Sequence, residues 1–154
     1  MKALVLAGSC PQIVLLGLLK DRGIETVLLD NNVNAVARPY ADKFIKVNIL
    51  DAEAVKQIAI DEQADFLITV CADQVLITVA QVSEELGLPC YIDHKTACDV
   101  SDKSLMKDIF HRYGIPTSKN SFMDTLDMDK VNEMQFPLVV KPADGYSSKG
   151  VRKA

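Results

Sequence analysis

The sequence predicts an α/β fold, an open and mostly parallel sheet, followed by a smaller partial α+β region, and three observations carry that expectation. Apolar runs such as residues 2–7 and 65–71 do not alternate with polar residues, as expected of strands covered on both faces. Amphipathic segments bounded by acids, glycine and proline separate these runs, which is the pattern of βαβ units. Around residue 95 the alternation stops, so a division into residues 1–94 and 95–154 is expected.

Taken in order, KALVLA at 2–7 is the first strand, broken by Gly8. Ser9 is placed to cap a helix, Pro11 suits a first helical turn, and Ile13 to Leu19 continue apolar until Lys20, Asp21 and Gly23 close it. IETVLLD at 24–30 is a second strand, ending on the turn formers Asp30, Asn31 and Asn32. A short strand over 43–47, a helix over 51–61 and a buried strand over 65–71 follow. Residues 74–86 carry Val75, Val79 and Val82 on one face and stop at Gly87, with Pro89 beyond, and a brief strand is expected at 90–92.

In the second region Asp102 is placed to cap a helix whose stripe is Leu105, Met106, Ile109, Phe110 and Tyr113, ended by Gly114 and Pro116. A strand over 119–123, a short helix within 125–133 and a strand over 138–140 are expected next. A further strand begins at Val151, read as one without its partner and therefore as a truncated domain.

Composition removes several classes of function. With 154 residues the chain is about one ordinary domain and a small appendage. Its 17 Lys+Arg against 21 Asp+Glu give a net charge of −4, which argues against nucleic acid as a partner. The longest apolar stretches, 13–19 and 66–72, fall short of the roughly 18 residues that cross a bilayer, so no membrane partner is expected. Cys10, Cys71, Cys90 and Cys98 form no CxxC pair and are expected as reduced, buried thiols in a cytoplasmic protein. The opening MKALVLAGSC imitates a lipoprotein signal, but its charged region is a single Lys2 and a second apolar run follows Cys10, so it reads as mature fold.

Two places suit chemistry. Gly8 followed by Asp30 imitates a dinucleotide turn, yet Cys10 and Ile13 stand where the fingerprint needs glycine, and a sharp turn with a strand-end aspartate accounts for both residues. The stretch Lys141-Pro142-Ala143-Asp144-Gly145-Tyr146-Ser147-Ser148-Lys149-Gly150-Val151 joins two lysines, two hydroxyls and two glycines, types that cradle a polyphosphate and that also occur in a plain hairpin. Lys103 sits in the first turn of a helix, where the macrodipole disfavours a cation, so a bound phosphate would explain it, as would neutralisation by Asp102 and solvent. Asp73, after the fourth strand, is a candidate substrate contact at the ligand side of the sheet. Asp124, Asp127 and Asp129 read as turn and helix-start residues, His94 and His111 as structural, and no catalytic or metal-ligating residue is assigned.

SDKSLMKDIFHRYGIPTSKN and FPLVVKPADGYSSKGV resemble two segments of the ATP-grasp ligases, and residues 1–94 resemble the Rossmann-like domain that precedes the ATP-grasp domain in carbamoyl phosphate synthase-like members. The resemblance implies that residues 95–154 are the N-terminal part of an ATP-grasp domain. It implies that Lys103 and Lys141 contact ATP phosphates while Gly145, Ser147, Ser148, Lys149 and Gly150 belong to the loop closing over them. It further implies a small carboxylate activated as an acyl phosphate and attacked by an amine, with magnesium ligands beyond residue 154, an inactive fragment, and a homodimer through the first domain. Tyr146 departs from the small residue many relatives carry there. A non-catalytic Rossmann-like binding or dimerisation module is the alternative from another class, and a nicotinamide enzyme is disfavoured by Cys10 and Ile13.

Overall fold

The computed structural model describes residues 1–143 and 149–154. The chain divides into two compact units, Met1–Ala97 and Cys98–Ala154.

In the first unit the apolar runs form a four-stranded sheet of β1 (Lys2–Leu6), β2 (Glu25–Asp30), β3 (Lys43–Lys46) and β4 (Phe66–Ile68), in the order β3-β2-β1-β4. Every pairing is parallel, with registers Val5↔Leu28, Leu28↔Phe44 and Val5↔Ile68. Successive side chains point to opposite faces, so each strand feeds two cores. Leu4, Leu6, Val27, Leu29 and Leu67 meet Val55 and Ala59 of α2 (Ala52–Asp61) and Val75, Val79 and Val82 of α3 (Asp73–Leu86). Ala3, Val5 and Leu28 meet Leu16 and Leu19 of α1 (Cys10–Lys20) on the other face. Two-sided burial is why the strands lack polar alternation.

Most helix ends follow local chemistry. The Asp51 carboxylate accepts from Ala54 N at the start of α2, and Gly87 ends α3 in the left-handed conformation. Ser9 stands at the N-cap of α1 but makes no cap bond, because its hydroxyl donates to Gln12 Oε1 at 2.5 Å. A further helix, α4 (His94–Ser101), was not expected; its signal is Asp93, whose carboxylate accepts from Thr96 N at 2.8 Å. The strand expected at 90–92 is absent: Tyr91 reaches Thr69 O through its hydroxyl at 3.1 Å, so this segment is held by side chains and not by a ladder. β4 is three residues long, where seven were expected, because Thr69 turns its hydroxyl onto Leu6 O at 2.8 Å as the ladder ends.

The second unit holds α5 (Lys103–Arg112), α6 (Met128–Asn132) and a two-stranded antiparallel ribbon of β5 (Val139–Val140) and β6 (Arg152–Lys153). Asp102 caps α5 through Ser104 N and Leu105 N, and Asp127 caps α6. The strand begun near Val151 therefore has a partner, contrary to expectation: β6 pairs with β5, and Leu138 and Ala154 exchange backbone bonds of 2.8 and 2.9 Å. Residues 119–123 form no strand, since Lys119 bonds Glu133 O and Asn120 meets His111 through side chains. The α5 stripe is only partly covered, with Leu105 46% and Tyr113 73% exposed, while Lys107 is the buried residue of that helix.

Candidate functional site

The second unit brings two of the sequence motifs into contact. Asp102 accepts from Ser104 N at 2.7 Å and Leu105 N at 3.0 Å, so the α5 start is capped by a carboxylate and the lysine beside it is left to reach outward. Its ammonium reaches: Lys103 Nζ donates to Ala143 O at 3.0 Å, across 40 positions of sequence. A carbonyl satisfies one donor of an ammonium and cancels none of its charge.

Ala143 is two residues beyond Lys141, which leaves β5 exposed. The far shoulder of the same hairpin is Gly150, with φ +75°, and a Cβ there would stand 2.8 Å from Pro142 Cγ. Both the backbone region and the packing against Pro142 require glycine. Gly150 therefore closes the base of the loop between Lys141 and β6, and Lys149 stands exposed beside it. Gly145, Ser147 and Ser148 lie outside the described residues, as does Tyr146. Lysine ammoniums at a capped helix start and at a hairpin shoulder, on elements joined by a hydrogen bond, can hold a polyanion such as a polyphosphate tail.

α5 itself is fastened by a residue that sequence reasoning missed. Lys107 is 9% exposed, and its ammonium donates to Thr117 Oγ1, to Ser118 O at 3.3 Å and to Ser118 Oγ at 3.1 Å. It thereby pins the turn after Gly114 and Pro116 to the helix that carries Lys103. The signal was available: Lys107 is the polar residue inside the stripe of Leu105, Met106, Ile109 and Phe110.

In the first unit the carboxyl edge of the sheet gathers Ser9, Asp30 and Asp73. Gly8 N donates to Asp30 Oδ2 at 2.6 Å and Asn32 N to Asp30 Oδ1 at 2.7 Å, so the carboxylate that a ribose would need in a dinucleotide site is spent on its own backbone. A Cβ on Gly8 would stand 2.5 Å from Ala35 Cβ, which explains this glycine by close approach of the neighbouring loop. Asp73 opens α3, exposed. The thiols differ from expectation: Cys10 and Cys71 are exposed and Cys90 and Cys98 half-buried, because Cys10 begins α1 at a turn and Cys71 lies in the turn after β4. Among the described residues no three His, Cys, Asp or Glu side chains converge on a metal position, and no helix is long and apolar enough to cross a membrane.

No family model matches the chain. The carbamoyl-phosphate synthase of Methanobrevibacter smithii is 29% identical over 142 residues, 88% of this chain and 38% of that protein. The formate-dependent phosphoribosylglycinamide formyltransferase of Proteus mirabilis is 33% identical over 134 residues, 83% of this chain and 33% of that protein. Among solved structures, the N5-carboxyaminoimidazole ribonucleotide synthetase of Thermotoga maritima matches 99% of this chain and 40% of its own, with TM-score 0.79 at 22% identity. This chain is homologous to the N-terminal portion of ATP-grasp ligases. Relative to such ligases it spans about a third to two-fifths of their length. The N5-carboxyaminoimidazole synthetase of Staphylococcus aureus, solved as an ADP complex, shares the fold over 99% of this chain with TM-score 0.80 at 20% identity. The ATP-grasp relationship bears on the parallel sheet and helices of the first unit directly.

Proposed function

We propose that this chain is the N-terminal portion of an ATP-dependent carboxylate-amine ligase working through an acyl phosphate. Lys103 and Lys141 contact the phosphates of ATP, and the segment containing Gly145, Ser147, Ser148, Lys149 and Gly150 covers them. The observation that carries this reading is the bond from Lys103 Nζ to Ala143 O, which joins the capped helix start to the shoulder of the lysine-bearing hairpin. The bond brings two motifs 40 residues apart in sequence into contact, which supports a site built from both.

The chemistry follows from charge. A carboxylate oxygen attacks the γ-phosphoryl group, forming a C–O–P bond as the bond to ADP breaks, and an amine then displaces phosphate from the acyl carbon. Phosphoryl transfer is accelerated chiefly by positioning and by neutralising the transferring oxygens, which is what two lysines supply. On this reading the metal ligands and the groups selecting the amine belong to the part of the ligase that this chain does not span, and the chain by itself does not turn over. Asp73 at the carboxyl edge contacts the small substrate, and the protein works in the cytoplasm, with no nucleic-acid or membrane partner and as a homodimer.

In a ligase that contains this sequence, Lys141→Ala lowers ATP-dependent phosphate release by about 100-fold or more, the scale of losing one transition-state contact to developing charge. Phosphate release that survives this change contradicts the assignment.

A further inference from the structure

The strand order β3-β2-β1-β4 creates a topological switch. From β1 the chain adds β2 and β3 on one side, then returns to place β4 on the other. In open parallel sheets, ligands lie in the crevice outside the carboxyl ends at such a point. At that point one side chain of α1 reaches the segment beyond β4. Gln12, the third residue of α1, is fully buried. Its Oε1 accepts from Ser9 Oγ at 2.5 Å, and its Nε2 donates to Val70 O at 2.7 Å, across 58 positions of sequence.

The bond to Val70 has no substitute in the sheet. The β1–β4 register ends at Val5↔Ile68, so Val70 O lies beyond the ladder and takes the amide of Gln12. Both strands leave the sheet through non-glycine residues in the left-handed region, Ala7 at φ 74° and Cys71 at φ 54°. Such residues persist where their surroundings over-determine them. On the β4 side the determining contacts are Gln12 on Val70 O, Thr69 Oγ1 on Leu6 O at 2.8 Å and Tyr91 on Thr69 O at 3.1 Å. Of these, only the Gln12 bond acts on the residue directly before Cys71. The Ser9 hydroxyl, drawn off its capping role, holds the far end of the carboxamide.

We propose that Gln12 is the positioning residue of the switch-point crevice: by clamping Val70 it fixes the turn of Cys71, Ala72 and Asp73 in the geometry that presents Asp73 to a small molecule. This rests on the reading of Asp73 as the substrate contact. Gln12 touches no reactant and acts through the backbone of the turn.

The test is amide hydrogen exchange on the whole chain, comparing wild type with Gln12→Met, which keeps the volume and removes both bonds, and with Ser9→Ala, which leaves the bond to Val70. Gln12→Met accelerates exchange at the amides of Val75 and Leu76, which donate to Ala72 O at 3.1 Å, by about tenfold or more, while β1 and β2 amides keep wild-type protection and Ser9→Ala leaves Val75 and Leu76 within about twofold of wild type. Acceleration spread evenly over the first unit, or none at Val75 and Leu76, overturns the proposal, since a purely structural glutamine would give one of those. A second arm separates the clamp from the substrate reading. In a ligase containing this sequence, Gln12→Met and Asp73→Ala both raise KM for the carboxylate and leave KM for ATP unchanged. Local exchange that responds while neither variant moves the carboxylate KM shows a real clamp with the substrate placed wrongly, which also overturns the positioning role.

Discussion

The two units of this molecule hold themselves together by different physics. Every buried apolar side chain among the described residues, from Ala3 to Ala97, belongs to the first unit, where leucines and valines such as Leu4, Leu28 and Val79 are fully excluded from water. In the second unit Lys107 is the buried side chain among the described residues, while Leu126 (78%), Val139 (66%) and Phe136 (58%) are exposed. Its order comes from polar ties instead: the Asp102 and Asp127 caps, Lys107 on Thr117 and Ser118, Lys119 on Glu133 O, and Lys103 on Ala143 O. Hydrogen bonds of this kind contribute about 1 kcal/mol each, against about 1.5–3 kcal/mol for burying a leucine or valine. The lysines assigned to phosphate thus sit in the unit with the weaker intrinsic hold, a place where a bound polyanion can add a large share of the order.

That contrast can be broken by truncation. Leu28→Ala, in the middle of the sheet, costs about 2–5 kcal/mol of stability in urea unfolding, whereas the same truncation at the half-exposed Leu105 costs under about 0.5 kcal/mol. Equal losses at the two positions would show that the second unit has a core of its own. A smaller effect sharpens the polar side of the comparison. Lys107→Met keeps the stem and removes three hydrogen bonds, so it lowers the protection of residues 114–118 by about 1–3 kcal/mol in hydrogen exchange, with β1 and β2 unchanged. An unchanged exchange pattern there would assign the order of that turn to packing.

The smallest effect is electrostatic and confined to the first unit. Glu62 bonds Lys43 at 2.5 Å and Lys2 at 3.4 Å. The Lys43 hydrogen bond, against a desolvation cost and with further help from Lys2, holds its carboxyl below the usual glutamate value. A carboxyl whose folded pKa is depressed stabilises the fold above its unfolded pKa and loses that contribution as pH falls through the folded value. Below about pH 4.5 the unfolding free energy of wild type therefore falls more steeply than that of Glu62→Gln. Parallel pH profiles in that window would remove Glu62 from the account.

Much of this was legible without coordinates, and the particular failures have causes. The near-continuous runs at 2–6 and 25–30 could only be strands buried on both faces, and Asp51, Asp102 and Gly87 marked their helix ends because caps are local chemistry. Residues 90–92 and 119–123 looked like strands because strand propensity is local, but pairing is not, and neither segment found a ladder. Cys10 and Cys71 looked buried beside apolar runs until the turns that carry them were placed at the edge of the sheet. Gln12 and Lys107 are marked in the sequence only as polar residues in apolar stretches, while their partners, Val70 and Thr117 with Ser118, are set by the fold. The pairing of Lys103 with the hairpin was anticipated by motif, but the atom it meets, Ala143 O, belongs to the backbone and leaves no trace in residue type.

The central claim, that Lys103 and Lys141 hold the phosphates of ATP, is tested most directly by lysine footprinting. A ligase containing this sequence is labelled with an acylating reagent with and without ATP, and modification of each lysine is read by mass spectrometry. The account predicts that ATP protects Lys103 and Lys141 while Lys119, Lys130 and Lys153 label as before. Equal labelling of Lys103 and Lys141 in both conditions, in a preparation that binds ATP, would contradict it.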